Sequence, residues 1–280
     1  MTPPPDLSAT GGRHEMSDPL DRKSGGGVNL LEVRSVSKNF GGVAALKNIS
    51  VGVNDREIVG LIGPNGAGKT SFFNCITGLV PIDQGEIFFK GNLRLNGLPP
   101  HRILEAGVAR TFQNLRIFKH MTLLENVAVG FHARTRSGLW DVFLRTRRLR
   151  VEEKKIFVGS RELLAFVGLE KHGNDIAAFL PYGYQKRLEI ARALASDPKL
   201  LLLDEPVAGM NPQEKNEIIA LVRKIREKGI AVLLIEHDMK VVMPLSDRVI
   251  VMDEGAKIGE GLPDEIQNNP RVIQAYLGEG

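Results

Sequence analysis

The chain has 280 residues but only one cysteine, one tryptophan and three tyrosines. A single thiol excludes an intrachain disulfide and a cysteine-held metal cluster. Cys75 stands among Phe72, Phe73 and Ile76, a setting that predicts a small buried hydrophobe. Long apolar runs are also missing. The longest, such as Leu200–Leu203 and Ala231–Ile235, are strand-sized, against the ~18–20 uncharged residues of a membrane helix. The N-terminus carries no apolar signal core, so a soluble, cytosolic protein is the expectation. There is no repeat at a solenoid period. What remains is ordinary globular material, 42% hydrophobic and 25% charged. It is long enough for one large domain, or a core domain with a subdomain, around a sizeable core.

Excess charge is scarce outside one stretch. The formal charge is +4. Residues 134–155 hold eight basic side chains (Arg134, Arg136, Arg145, Arg147, Arg148, Arg150, Lys154, Lys155) against Asp141, Glu152 and Glu153, which leaves the rest of the chain near −1. Such a segment is either a solvated helix face or a surface for anionic lipid headgroups or a partner's acidic loop. Interleaved aromatics are few (Trp140, Phe143), which argues against nucleic acid as a partner.

The segment 1–27 is rich in Pro, Gly, Ser and charge and reads as a disordered tail, with the fold beginning near Val28. Leu30–Val36 and Ile49–Val53 alternate as strands, and Glu57–Ile62 follows, so the front section predicts antiparallel strands leading into a core strand. Thr122–Phe131 reads as a helix with Thr122 as N-cap and Glu125 three residues on, a capping box. Leu139–Arg150 and Glu152–Val167 have helical periodicity, and 97–180 as a whole has the character of a helical insert. Beyond it, strands Leu200–Leu203, Ile230–Ile235, Arg248–Asp253 and Lys257–Glu260 alternate with helix Pro212–Lys228, which ends at Gly229. Apolar strands in such βα alternation imply a parallel sheet covered on both faces.

Gly63-Pro64-Asn65-Gly66-Ala67-Gly68-Lys69-Thr70 fits G-x-x-x-x-G-K-[ST]. Glycines let backbone N–H groups wrap a phosphate. Lys69 then reaches the β- and γ-phosphates, and the Thr70 hydroxyl is placed for Mg²⁺. The residues from Ser71 on look helical, which puts the anion at a helix N-terminus. Strand, glycine loop and helix together are the context this motif requires. Downstream, the strand Leu200–Leu203 runs into Asp204-Glu205. The end of a parallel strand lies at the ligand crevice, so Asp204 is placed to hold Mg²⁺, directly or through water, and Glu205 to polarise an attacking water. His237, after the strand Ala231–Ile235, occupies the equivalent place one strand along.

In this order the motifs resemble the ATP-binding cassette (ABC) family, from about residue 30 to 276. Gly63–Thr70 is similar to Walker A and Leu200–Glu205 to Walker B with its catalytic glutamate. Gln113, in Arg110-Thr111-Phe112-Gln113-Asn114, resembles the glutamine that touches Mg²⁺ and couples to the membrane subunit. His237 resembles the switch histidine at the γ-phosphate, and Phe40 the aromatic that stacks on adenine. The family's Leu-Ser-Gly-Gly-Gln signature corresponds to Leu180-Pro181-Tyr182-Gly183-Tyr184, with Pro181 replacing the serine. Asn211 replaces the usual aspartate in the loop Ala208–Asn211.

The resemblance implies an α/β P-loop NTPase fold: a mainly parallel core sheet, an antiparallel β subdomain and a helical subdomain within 28–280. It implies ATP and Mg²⁺ as cofactors. Nucleotide contacts would come from Phe40, Gly63, Pro64, Asn65, Gly66, Ala67, Gly68, Lys69, Thr70 and Ser71, and from Tyr182 and Gly183 of an opposing subunit. Metal contacts would come from Thr70, Gln113 and Asp204, and catalysis from Glu205, His237 and Gln113. The Tyr-Gly signature, Ala-Gly-Met-Asn-Pro after Walker B, the insert near 134–160 and the ending Asn269–Gly278 resemble one subgroup. It is the larger ATPase subunit of bacterial importers for branched-chain and other hydrophobic amino acids. Permease subunits, a second ATPase subunit (identical or not) and, indirectly, a periplasmic binding protein would be its partners at the cytoplasmic face of the inner membrane. Importers of urea, amides or aromatic acids and exporters of lipid or lipopolysaccharide remain alternatives. A nucleic-acid-associated ABC ATPase is disfavoured by the single cassette and short insert.

Overall fold

The computed structural model describes residues 29–134 and 147–277. The tail 1–27 and most of the helix expected over Leu139–Arg150 lie outside the described residues, as does the middle of the basic stretch.

Two sheets organise the chain. The first is antiparallel, in the order β2-β1-β4-β5, from β1 (Leu31–Phe40), β2 (Val43–Val53), β4 (Gln84–Phe89) and β5 (Leu93–Arg94). The second runs β10-β9-β3-β8-β7-β6. Its parallel members are β3 (Ile58–Ile62), β6 (Val108–Arg110), β7 (Leu200–Asp204), β8 (Ala231–Ile235) and β9 (Arg248–Asp253), while β10 (Ala256–Gly261) closes the edge antiparallel to β9. Every residue of β3, β7 and β8 is buried.

The apolar runs are continuous because each face of this sheet has its own cover. Leu200, Leu202, Ala231, Leu233 and Ile235 join one core with α1 (Lys69–Ile76) and the antiparallel sheet. Leu201, Leu203, Val232 and Leu234 point the other way, into a core shared with α5 (Tyr182–Leu194) and α6 (Pro212–Glu227). Alternation along each strand therefore distributes leucines to both sides. A third cluster unites Ile62, Val249 and Val251 with Val242 of α7 (Met239–Leu245), Ile266 of α8 (Pro263–Gln267) and Val272 of α9 (Pro270–Leu277). Cys75 is buried in the first core, and burial pushes its thiol up to about 11.

The segment 97–180 is not helical throughout. Its first part forms α2 (Pro100–Ala106) and then β6, which pairs with β7 as the far edge of the core sheet. Its helices proper are α3 (Leu123–Gly130) and α4 (Arg147–Phe166), whose Val127 and Leu164 meet Leu188 of the following α5 in the second core. The capping box at α3 is present: the Glu125 N–H donates to Thr122 Oγ1, and the Thr122 N–H to the Glu125 carboxylate. That last bond is the largest cause holding the Glu125 carboxyl below its usual range. Of the basic stretch, Arg150, Lys154 and Lys155 on α4 are exposed.

Candidate nucleotide site

β3 ends at Ile62 and α1 begins at Lys69, so the loop between them must reverse within six residues. Three glycines make that turn at positive φ: Gly63 (+150°), Gly66 (+81°) and Gly68 (+95°). Two of them are also sterically fixed. A Cβ on Gly63 would lie 2.0 Å from the Met252 carbonyl oxygen, and one on Gly68 2.4 Å from that of Ala45. No other residue fits such a cradle. Gly68 is the N-cap of α1, and no side chain caps the helix. The first N–H groups of α1 thus stand at the positive end of the helix dipole. Lys69 Nζ folds back on the loop, donating to the carbonyls of Gly63 (2.5 Å) and Pro64 (2.8 Å).

The loop opens on a cleft of about 710 Å³ lined by Asn65 to Ser71, Gln113, Glu205, Ile235, Glu254 and the start of β2. Phe40, at the end of β1, is not in this lining. It is 46% exposed, with Lys38 Nζ 5.5 Å from its ring centroid.

Two residues far apart in sequence meet at the cleft: Gln113 Nε2 donates to Glu205 Oε2 at 3.0 Å. Glu205 sits at φ +46°, a left-handed conformation uncommon for residues other than glycine and one that carries strain. Its N–H donates to the Ile235 carbonyl at 3.0 Å, which ties the turn after β7 to the end of β8.

Asp204 is only 2% exposed and does not line the cleft. It pairs with Arg110 at 2.8 Å, and Arg110 also donates to Asn74 Oδ1 at 2.6 Å. The guanidinium lies over the rings of Phe73 and Phe112, at 5.4 and 5.0 Å. Arg110 is a residue that sequence reasoning missed. It stands three places before Gln113 at the end of an apolar strand, and such an arginine reads as a surface residue until its partner is known.

His237 follows β8 but its side chain is 64% exposed and outside the cleft lining. Beneath it, fully buried Glu236 accepts the Val207 N–H at 3.0 Å and the His237 N–H at 3.3 Å. Burial pushes the Glu236 carboxyl above its ordinary range. Glu236 therefore holds the segment after Glu205 in place.

Tyr182 and Gly183 open α5, with Pro181 as its N-cap and no capping side chain. Neither lines the cleft. Asn211 caps α6: the Glu214 N–H donates to Asn211 Oδ1 and the Asn211 N–H to Glu214 Oε2, each at 3.0 Å. The replacement of aspartate in that loop thus leaves a complete capping box.

A parallel sheet whose first βα turn is a glycine cradle, with a strained glutamate arriving from the next-but-one strand, defines a P-loop nucleoside-triphosphate site. The ABC transporter family profile matches residues 46–208, and a branched-chain amino acid ATP-binding cassette transporter profile matches residues 256–280. The chain is 45% identical over 251 residues to the high-affinity branched-chain amino acid transport ATP-binding protein LivG of Salmonella typhimurium, covering 89% of this chain and 98% of that one. Among solved structures, the ADP conformation of an ATP-binding cassette of an ABC transporter superposes with a TM-score of 0.78 at 31% identity, over 89% of this chain and 99% of that one. A dimeric post-hydrolysis cassette bound to ADP and Pi superposes with a TM-score of 0.70 at 26% identity, over 83% of this chain and 98% of that one. The chain belongs to the ABC transporter family.

Proposed function

We propose that this chain is the ATP-hydrolysing subunit that powers import of branched-chain or other hydrophobic amino acids. The observation that carries the hydrolytic reading is the contact between Gln113 and Glu205 at the mouth of the glycine cradle. The loop N–H groups and Lys69 bind the triphosphate once Lys69 exchanges its two carbonyl partners for phosphate oxygens. Glu205 orients the attacking water, and His237 swings in to meet charge developing at the γ-phosphate. Phosphoryl transfer asks for positioning and charge neutralisation more than for covalent chemistry. The hydroxyl of Thr70 and the amide oxygen of Gln113 line the cleft and, with the buried Asp204 carboxylate acting through water, suit a hard cation; Mg²⁺ held by them would neutralise charge on the phosphates. Arg110 orients the Asp204 carboxylate through their ion pair at 2.8 Å.

Tyr182 and Gly183 stand away from their own cleft, so they cap a nucleotide on a second ATPase subunit, head to tail. The dimeric relative with ADP and Pi supports such a pairing. A second groove of about 710 Å³ between α2, α3 and α5, walled in part by Arg110, Arg116 and Arg192, takes the cytoplasmic segment of a permease subunit, next to the Gln113 loop. The exposed basic residues of α4 lie toward the anionic lipid surface. No helix among the described residues is long and apolar enough to cross a membrane, and the chain works as a peripheral subunit at the cytoplasmic face. The amino-acid substrate rests on the LivG relative and on the C-terminal profile, whose segment packs Ile266 and Val272 against β9.

The test is Glu205→Gln. Hydrolysis falls by about 10²–10⁴-fold, a general-base magnitude, while ATP still binds. Turnover close to that of the parent defeats the assignment.

A further inference from the structure

The signature helix α5 carries two buried charges with no part in the reaction described so far. Lys186 is 1% and Glu189 2% exposed, one turn apart. Lys186 Nζ donates to the carbonyls of Phe112 (2.9 Å) and Gln113 (3.2 Å). Glu189 Oε1 accepts the backbone N–H groups of Phe112 and Arg116, each at 3.3 Å. The two side chains face each other at 3.5 Å, and Glu189 Oε2 has no hydrogen-bond partner among the described residues.

Four bonds therefore fasten one helix to one short loop. Buried charges carry a desolvation cost that apolar residues of the same size avoid. What they add is direction: Lys186 reads carbonyls, Glu189 reads N–H groups, and together they grip the loop at both polarities of its backbone. The gripped loop is the one whose Gln113 side chain reaches Glu205. The helix that grips it begins at Tyr182 and Gly183, one turn before Lys186.

We propose that Lys186 and Glu189 are positioning residues for hydrolysis. They lock the loop 112–116 to the signature helix, so that a shift of α5 is transmitted rigidly to Gln113 and sets its contact with Glu205. The helix end that meets the opposing subunit's nucleotide thereby adjusts the water-orienting residue of its own cleft. This rests on the reading of Glu205 given above. A packed helix pair alone would transmit motion loosely, whereas misplacing a catalytic group by about 1 Å costs on the order of 10²-fold in rate.

The test uses the full chain as parent, Lys186→Met, Lys186→Arg, Glu189→Met and, as control, Glu205→Gln. ATP affinity, kcat, KM and amide exchange of the 110–118 peptide are measured. Lys186→Met and Glu189→Met keep KM within about twofold and lose roughly 10–100-fold in kcat, because only the transition state needs the aligned glutamine. Their 110–118 amides exchange faster while those of the glycine loop do not. Lys186→Arg, which still reaches both carbonyls, recovers most of kcat. Should Lys186→Met not fold, Glu189→Met and Lys186→Arg decide. Parent-like kcat in a folded Glu189→Met or Lys186→Met overturns the proposal, as does unchanged exchange of the loop, or a Lys186→Arg variant as slow as Glu189→Met. If Glu205→Gln hydrolyses like the parent, the reading of Glu205 falls and this proposal with it. If Glu205→Gln is inactive and the α5 variants are parent-like, only the proposal falls.

Discussion

At the end of β3 the phosphate loop is wrapped by its own chain. At the start of α5 the signature segment is open. Gly63 and Gly68 are each pressed against a backbone carbonyl, Met252 and Ala45. A Cβ on Gly183, by contrast, would meet the Glu214 side chain first, and one on Gly209 nothing closer than a Tyr182 ring atom at 3.9 Å. One region is a finished binding surface built in cis. The other, on the proposed function, is half a surface that a second ATPase subunit completes. The difference lies in what each needs for specificity. A cradle for phosphate must be rigid before the ligand arrives, whereas a surface that closes on a partner must be able to move.

The largest effect that could break this contrast is Lys69→Ala. ATP binding is abolished, because the side chain that turns from the Gly63 and Pro64 carbonyls to the phosphates is gone, while the fold persists. Nucleotide titration that returns the parent affinity contradicts the cis site. Next comes Arg110→Ala, which strands Asp204 as a buried carboxylate. Loss of one partner of such a pair costs about 3–5 kcal/mol, visible as a lower denaturation midpoint. A loss under about 1 kcal/mol means the pair is solvated in solution and does not position Asp204.

A matched pair of glycine substitutions sharpens the comparison further. Gly68→Ala forces a left-handed alanine against a carbonyl and costs about 1–3 kcal/mol, together with ATP affinity. Gly183→Ala, whose methyl is buried but faces the end of the Glu214 side chain rather than a backbone carbonyl, costs less stability than Gly68→Ala, and its main damage is to hydrolysis by the assembled pair. Equal losses in both variants erase the distinction. The smallest effect belongs to Asn211→Ala, which removes the N-cap of α6 and costs about 1 kcal/mol, read as a modest drop in melting temperature with ATP affinity unchanged.

Much of the architecture was legible because the core strands announce themselves. β7, β8 and β9 are apolar runs bounded by charge or glycine, and their ends carry Asp204, Glu205 and His237. The glycine loop was legible for the same reason that it is rigid: its residue types admit few alternatives. What escaped was long-range or inverted. β4 pairs with β1 across some fifty residues, and β5 joins the sheet only through β4; no local period marks them. β6 has three residues, too few for a pattern, and was absorbed into the insert. Arg110, Glu236, Lys186 and Glu189 are charged residues in buried places, and charged side chains are almost never fully buried unless paired. Their partners lie on other elements, so the residue types alone point outward to solvent.

The most direct test is the structure of Glu205→Gln with ATP and Mg²⁺. The triphosphate should lie on the N–H groups of residues 65–70, with Tyr182 and Gly183 of a second ATPase subunit over the γ-phosphate. A nucleotide bound elsewhere, with the glycine loop still gripping Lys69, contradicts the account.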